Sequence, residues 1–187
     1  TATPGASAQR DAARSAGGFL GIGAPSVLPD QVAGIGLRSA IGVDLPPLPR
    51  ARAELEAIAA ALSVTDPVIL TDAAATEAGI AAHGAQPRSV IAFATHGLVG
   101  GELPGLEEPA LLLAPGDPLR ADGDGLLTAS EIAALQLDAD WVILSACETA
   151  AGEDAMAPAY SGLARAFTQA GAKALMLSHW RVRDDAA

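Results

Sequence analysis

The sequence predicts an α/β fold in which a mostly parallel sheet is covered by helices on both faces. Short apolar runs alternate with segments of helical periodicity along its 187 residues, which is the pattern of such a fold. Two runs, at residues 89–95 and 139–147, have the length and β-branched content of buried parallel strands. Half of the residues are hydrophobic, so the chain can bury a sizeable core in a single domain.

The amino-terminal part contains one strand between two irregular segments. Residues 1–16 are small and polar, which predicts a loose lead-in to a domain over residues 17–187. The apolar residues 18–25 predict the first strand. Residues 24–49 are rich in proline and glycine and predict a long loop.

The remaining elements follow in alternation. Residues 50–62 predict a helix, because Leu55, Ile58, Ala59 and Leu62 have the i, i+3, i+4, i+7 spacing of one helix face. The helix that stops at Gly171 carries Tyr160, Leu163, Phe167 and Ala170 on one face. Other strands are expected at residues 68–70, 89–95, 110–113, 139–147 and 173–177, and other helices at residues 75–83 and 130–135.

The two longest strands end on side chains that carry chemistry. One leads into His96 and Gly97, and the other ends at Cys147, the only cysteine of the chain. In parallel sheets, ligands bind beyond the carboxyl ends of the strands. A thiol and an imidazole at that edge are a candidate nucleophile and base. The alternative is that Cys147 is an inert core residue, which is the commoner role of a lone cysteine in an apolar run.

The order and motifs of the chain resemble a known family. His96 precedes Cys147 by 51 positions, as the histidine of caspases precedes the cysteine by about 50, whereas papain-type enzymes have the cysteine first. From about residue 18 to the end, the chain resembles the bacterial CHAT family of caspase-like domains, which often accompany tetratricopeptide repeats. Five blocks carry the resemblance: FATHG at 93–97, LLTASEI at 126–132, LSACETA at 144–150, GLARAF at 162–167 and WRVRDDA at 180–186.

The resemblance implies a caspase-like three-layer sandwich and a cysteine endopeptidase with a His96 and Cys147 dyad. The backbone N–H groups of Gly97 and Cys147 are expected to form the oxyanion hole, since Gly97 has no Cβ to obstruct a substrate carbonyl. Compared with the family, the chain is expected to be truncated at both ends, and His179 stands where the family mostly has an apolar residue.

Charge points to the class of partner. The net charge of −11 disfavours a nucleic-acid or anionic-membrane surface. It favours a protein or peptide substrate cleaved after a basic residue, with Glu148, Asp154, His179 and Trp180 as the expected pocket. Tetratricopeptide-repeat segments are further expected partners. With no apolar run long enough to span a membrane and no signal peptide, we expect a cytoplasmic protein.

Other motifs are weaker. Asp122, Asp124 and Glu131 fit part of an EF-hand calcium loop, but Thr128 and Glu131 have the spacing of a capping box at a helix start, which we prefer. The glycines at 17–23 lack the acidic partner of a dinucleotide site, and His83 and His179 lack ligand neighbours. We therefore expect neither a cofactor nor a metal.

Two competing functions stay open. In the first, the domain has kept its sheet and serves as a catalytically idle regulatory or scaffold module, with Cys147 unused. A flavodoxin-like ligand binder explains the strands, but it does not explain why they end on His96-Gly97 and Ala146-Cys147.

Overall fold

The computed structural model describes residues 18–25, 47–102, 105–116, 123–145 and 153–177, with the side chains of 153–160 left out. Eight strands and four α-helices lie within these residues. The strands are β1 (Phe19–Gly23), β2 (Val68–Thr71), β3 (Arg88–Ala94), β4 (Gly97–Leu98), β5 (Ala110–Leu112), β6 (Leu126–Thr128), β7 (Ala139–Ser145) and β8 (Ala172–Leu177). The helices are α1 (Ala51–Ala61), α2 (Glu77–Gly84), α3 (Ala129–Ala134) and α4 (Glu153–Ala170), and a 3-10 turn (Asp72–Ala74) precedes α2.

Five of the strands form one parallel sheet in the order β2-β1-β3-β7-β8. Of these five strands, β1 comes first in the chain. β2 is added on one side of it and β3 on the other, so the strand order reverses between β1 and β3. Ligands in open α/β sheets bind outside the carboxyl ends of the strands, where the order reverses. We call this end of the sheet the carboxyl edge.

Side chains alternate between the two faces of the sheet, and each face has its own core. On β3, Val90 and Ala92 pack with Phe19 and with Leu55 of α1. The intervening Ile91 and Phe93 belong to a larger core on the opposite face, with residues of α2, α3 and α4. The rings of Phe93 and Phe167 are 5.3 Å apart between centroids. The predicted α/β sandwich, with a mostly parallel sheet and helices on both faces, is therefore confirmed.

A second, antiparallel sheet of three strands lies between β3 and β7 in the chain. Its order is β4-β5-β6, with Gly97 opposite Leu111 and Leu111 opposite Leu127. Leu111 and Leu127 belong to the same core as Phe93, so this small sheet is fixed to the main sheet by shared apolar packing. Sequence patterning predicted only β5, whose three residues belong to the longer apolar run 110–113. β4 and β6 are two and three residues long and carry too little alternation to be recognised.

Most predicted boundaries agree with the structure to within two residues. Leu163, Phe167 and Ala170 of α4 are buried as predicted. The helix predicted to begin at residue 75 begins at Glu77, because Thr76 accepts a hydrogen bond from the Gly79 N–H at its start. The predicted lead-in over 1–16 lies outside the described residues, and so do residues 26–46 of the long loop predicted over 24–49. No described helix combines the length and apolarity that a membrane crossing requires.

The face of the sheet that holds α1 is partly open above β7 and β8. Trp141 is 47% exposed and Met176 is 54% exposed. Ile143, which lies opposite Met176 in the sheet, is also only partly buried. Within the residues that the structure describes, α1 covers β1, β2 and β3, and the apolar strip over the last two strands continues beyond it.

Candidate active site

His96 stands at the carboxyl edge, two residues after the last residue of β3. Only 4% of its surface is exposed. A position after a strand end favours an exposed side chain, but the chain continues from His96 directly into the small sheet at Gly97. The imidazole is therefore held inside the protein.

The main chain around His96 is fastened to β5 by two hydrogen bonds. The Leu112 N–H donates to the His96 carbonyl oxygen at 2.8 Å. The Thr95 hydroxyl donates to the Leu112 carbonyl oxygen at 2.5 Å. Thr95 is 2% exposed and Leu112 is 2% exposed, so neither bond has to compete with bulk water.

The pairing of β4 with β5 sets the direction of the Gly97 N–H. Gly97 lies opposite Leu111, and the bond from Leu112 to the His96 carbonyl flanks this pair. Gly97 and Leu111 therefore form a non-hydrogen-bonded antiparallel pair, whose own N–H groups point away from each other. The Gly97 N–H points outward from β5, since β4 is the edge strand of the small sheet.

The strand that leads to Cys147 is the neighbour of the strand that leads to His96. β3 and β7 are parallel, and their pairing runs to Ala94 opposite Ser145. His96 follows Ala94 by two residues, and Cys147 follows Ser145 by two residues. Cys147 itself lies outside the described residues.

The predicted pocket residues also lie outside the part of the chain whose side chains are described. These are Glu148, His179 and Trp180, together with Asp154, which falls in the first turn of α4. Their placement relative to His96 stays a prediction.

Two acidic residues that are near Cys147 in sequence lie at the opposite end of β7. Asp138 precedes the strand, and its carbonyl accepts from the Arg88 N–H. Asp140, in the second position of the strand, is bound by the Lys173 ammonium at 2.6 Å. Seven strand residues span ~20 Å, so both carboxylates lie far from the carboxyl edge of the sheet.

Two of the acidic residues that follow His96 have structural roles. The Glu108 carboxylate accepts from the Ser130 N–H at 2.9 Å and from the Ser130 hydroxyl at 2.6 Å, at the start of α3. The Glu102 carboxylate accepts from the Val99 N–H at 2.9 Å. Glu107 is exposed. The Glu108 contacts join the loop between β4 and β5 to the start of α3, and the Glu102 contact lies within that loop.

The carboxyl edge also holds a cation that the sequence did not reveal. Arg52, in the first turn of α1, contacts the Thr71 hydroxyl and lies 3.4 Å from the Asp72 carboxylate. Thr71 ends β2, two strands away from β3. Arg52 lies 19 positions from Thr71 in the chain, so no local motif connects them.

The preferred interpretation of the acidic segment before α3 is confirmed. The Thr128 hydroxyl and the Glu131 carboxylate form a reciprocal capping box at the start of α3. Asp124 accepts from the Leu126 N–H at 2.8 Å. Partial desolvation raises the pKa of the Asp124 carboxyl, and the charge of Glu131 adds to that rise, whereas the Leu126 hydrogen bond opposes it. Among the described residues, no three histidine, cysteine or acidic side chains are grouped to hold a metal ion.

Comparison with known proteins gives one match. The family model described as CHAT domain matches residues 1–187. No curated protein and no solved structure matches the chain. The match and the observed sheet together confirm the predicted caspase-like three-layer sandwich.

Proposed function

Because this chain belongs to the CHAT domain family, which is caspase-like, we propose that it is a cysteine endopeptidase with Cys147 as nucleophile and His96 as base. The observation that carries the proposal is the register of β3 and β7, in which Ala94 lies opposite Ser145. Adjacent parallel strands that end level deliver the residues after them to one side of the sheet. The equal offset of His96 and Cys147 beyond this pair supports their meeting there.

The chemistry proceeds through an acyl-enzyme. A thiol with a pKa near 8.5 is mostly protonated at neutral pH, so His96 takes the proton from the Cys147 sulfur. The sulfur attacks the scissile carbonyl carbon, and His96 then gives the proton to the leaving amine as the C–N bond breaks. Water, deprotonated by His96, attacks the thioester and releases the carboxylic acid with the free thiol. Burial of His96 supports this role, because acid–base transfer benefits from a site closed to bulk water.

The direction of the Gly97 N–H supports the proposed oxyanion hole. This N–H points outward from β5, so it donates no hydrogen bond in the pairing of β4 with β5. A donor of this kind contributes ~3 kcal/mol of transition-state stabilisation in well-studied enzymes. The N–H of Cys147 is the proposed second donor.

We further propose that cleavage follows an arginine or a lysine. The net charge of −11 favours basic partners, and Glu148 and Asp154 follow the nucleophile in the chain. Glu102 and Glu108 are engaged in loop contacts, so the basic preference rests on the two residues after Cys147. His179 and Trp180 complete the proposed pocket.

A catalytically idle interaction domain is the second candidate. The observation that favours it is the half-exposed apolar strip of Trp141, Ile143 and Met176. Exposed apolar patches often mark interaction sites, and tetratricopeptide-repeat segments are the proposed partners. In this case Cys147 has the reactivity of an ordinary thiol.

An irreversible peptide probe distinguishes the two candidates. A peptidyl ketone with an acyloxy leaving group and a terminal arginine forms a thioether only where a base activates the thiol. Because Cys147 is the only cysteine, the mass of the intact protein reports the reaction without ambiguity. We expect labelling of the wild-type chain, none of Cys147→Ala and very slow labelling of His96→Gln. Equal labelling of wild type and His96→Gln would refute the peptidase.

A further inference from the structure

We infer that Thr95 is a positioning residue for His96, acting through the carbonyl of Leu112. This inference rests on the proposed function, since it assigns Thr95 a part in how the dyad operates. It is carried by the two hydrogen bonds that join the Thr95-His96 segment to β5.

Both hydrogen bonds are made by a single residue of β5. Leu112 donates its N–H to the His96 carbonyl, and its own carbonyl accepts from the Thr95 hydroxyl. Leu112 therefore holds two consecutive residues of the segment, one by main chain and one by side chain. A main chain held at two successive residues has little freedom to rotate, so the Cα–Cβ direction of His96 is fixed.

Leu112, which bonds to both residues, is itself held in a well-packed strand. Leu111 and Leu113, on either side of Leu112, are both buried in the core that contains Phe93. β5 is the central strand of the small sheet, with β4 on one side and β6 on the other. The position of Leu112, and with it that of the His96 main chain, is thus fixed by packing in the main core. It does not depend on the exposed loop between β4 and β5.

Because Thr95 is buried, the hydrogen bond of its hydroxyl is not easily replaced by a bond to water. Thr95 is 2% exposed, so removal of its oxygen takes away a partner of the Leu112 carbonyl that water does not easily replace. The local response is a shift of the Thr95-His96 main chain. A displacement of about 1 Å in a catalytic group lowers a rate by up to about a hundredfold.

The test is the pH dependence of Cys147 alkylation in hydroxyl-deleting and hydroxyl-keeping variants. Iodoacetamide reacts with the thiolate, and the sole cysteine makes the rate specific. We expect Thr95→Val to lower the rate at pH 6.5 by about ten- to a hundredfold, approaching His96→Gln. Its rate at pH 10, where the thiol ionises without help, is expected to match wild type. Thr95→Ser keeps the hydroxyl and is expected to keep the wild-type profile.

Thr71→Val is the matched control. Thr71 is also a buried threonine at the carboxyl end of a strand of the main sheet, 4% exposed, and its hydroxyl contacts Arg52. Its replacement removes a comparable hydroxyl two strands away from β3, so the alkylation profile is expected to stay that of wild type.

Each outcome decides the inference. A wild-type profile in Thr95→Val overturns it, and so does a loss in Thr95→Ser as large as that in Thr95→Val, since the methyl packing would then be responsible. If Thr95→Val does not fold, the comparison is made with Thr95→Ala under the same criteria. A wild-type alkylation profile in His96→Gln would refute the proposed dyad. A wild-type profile in Thr95→Val alone would leave the dyad supported and refute only the positioning role of Thr95.

Discussion

Ser145 lies opposite Ala94 at the last paired position of β7 and β3. Neither residue has a chemical role, yet their pairing determines where the next residues of both strands emerge. Because the two strands are parallel neighbours, they end on the same edge, and a histidine and a cysteine at equal offsets follow. The register therefore supports the proposed meeting of His96 and Cys147, because it brings the described ends of both strands level.

The first prediction concerns the proposed dyad. Cys147→Ala removes the nucleophile, and we expect no peptide turnover. His96→Gln removes the base but keeps most of the buried volume, and we expect kcat to fall about 10²- to 10⁴-fold. Both variants should keep the wild-type far-ultraviolet circular dichroism spectrum and thermal midpoint to within a few degrees.

The choice of glutamine follows from the burial of His96. At 4% exposure, His96→Ala would leave a cavity and mix a loss of stability with a loss of chemistry. Wild-type turnover in either Cys147→Ala or His96→Gln would show that the catalytic residues lie elsewhere.

The second prediction concerns specificity. In a library of peptides varied before the scissile bond, we expect arginine and lysine to be cleaved faster than aspartate. Opposite charges across a desolvated pocket discriminate strongly, so Asp154→Asn and Glu148→Gln should each lower kcat/KM for arginine substrates by about tenfold or more. Glu107→Gln is the control, because Glu107 is an exposed carboxylate in the loop after β4. A preference for aspartate in the wild type would assign the acidic surface to solubility.

The main sheet could be predicted from the sequence because each of its strands is a local apolar run bounded by turn residues. The residues at which β3 and β7 end could be predicted to within two positions for the same reason. The burial of His96 could not be predicted, because no local pattern around residue 96 shows that the side chain lies inside the protein. The hydrogen bond of Thr95 was not predictable either, because its partner Leu112 lies 17 positions away. The partner of Asp140 was also out of reach of the sequence, because Lys173, which binds it, lies 33 positions away on the neighbouring strand.

The third prediction concerns Asp124. Its folded pKa is raised, so the folded state binds this proton more tightly than the unfolded state. The stability that depends on this proton is present below the unfolded pKa and is lost as the pH rises through the folded pKa. Asp124→Asn keeps an oxygen that accepts from Leu126 and removes the titration. We therefore expect the urea midpoint of the variant minus that of wild type to be larger at pH 7 than at pH 3. The same difference at both pH values would contradict the assignment.

The last prediction concerns two glycines with positive φ. Gly171 follows α4 at φ +118°, and a Cβ there would lie 2.1 Å from the Leu137 carbonyl oxygen. That oxygen belongs to the segment before β7, whose Leu137 N–H donates to the Ala170 carbonyl, so the backbones on both sides are fixed. Gly101 has φ +85° but no atom within 4 Å of a Cβ.

The two glycines separate conformational strain from steric overlap. Gly101→Ala introduces strain alone, and we expect the free energy of unfolding to fall by about 1–2 kcal/mol. Gly171→Ala adds an overlap with main-chain atoms that no side-chain rotation relieves, and we expect a loss of about 3 kcal/mol or more. Urea unfolding followed by circular dichroism measures both. Equal losses would mean that the chain after α4 moves away from Leu137 at little cost, and that the junction between α4 and β8 is looser than its hydrogen bonds indicate.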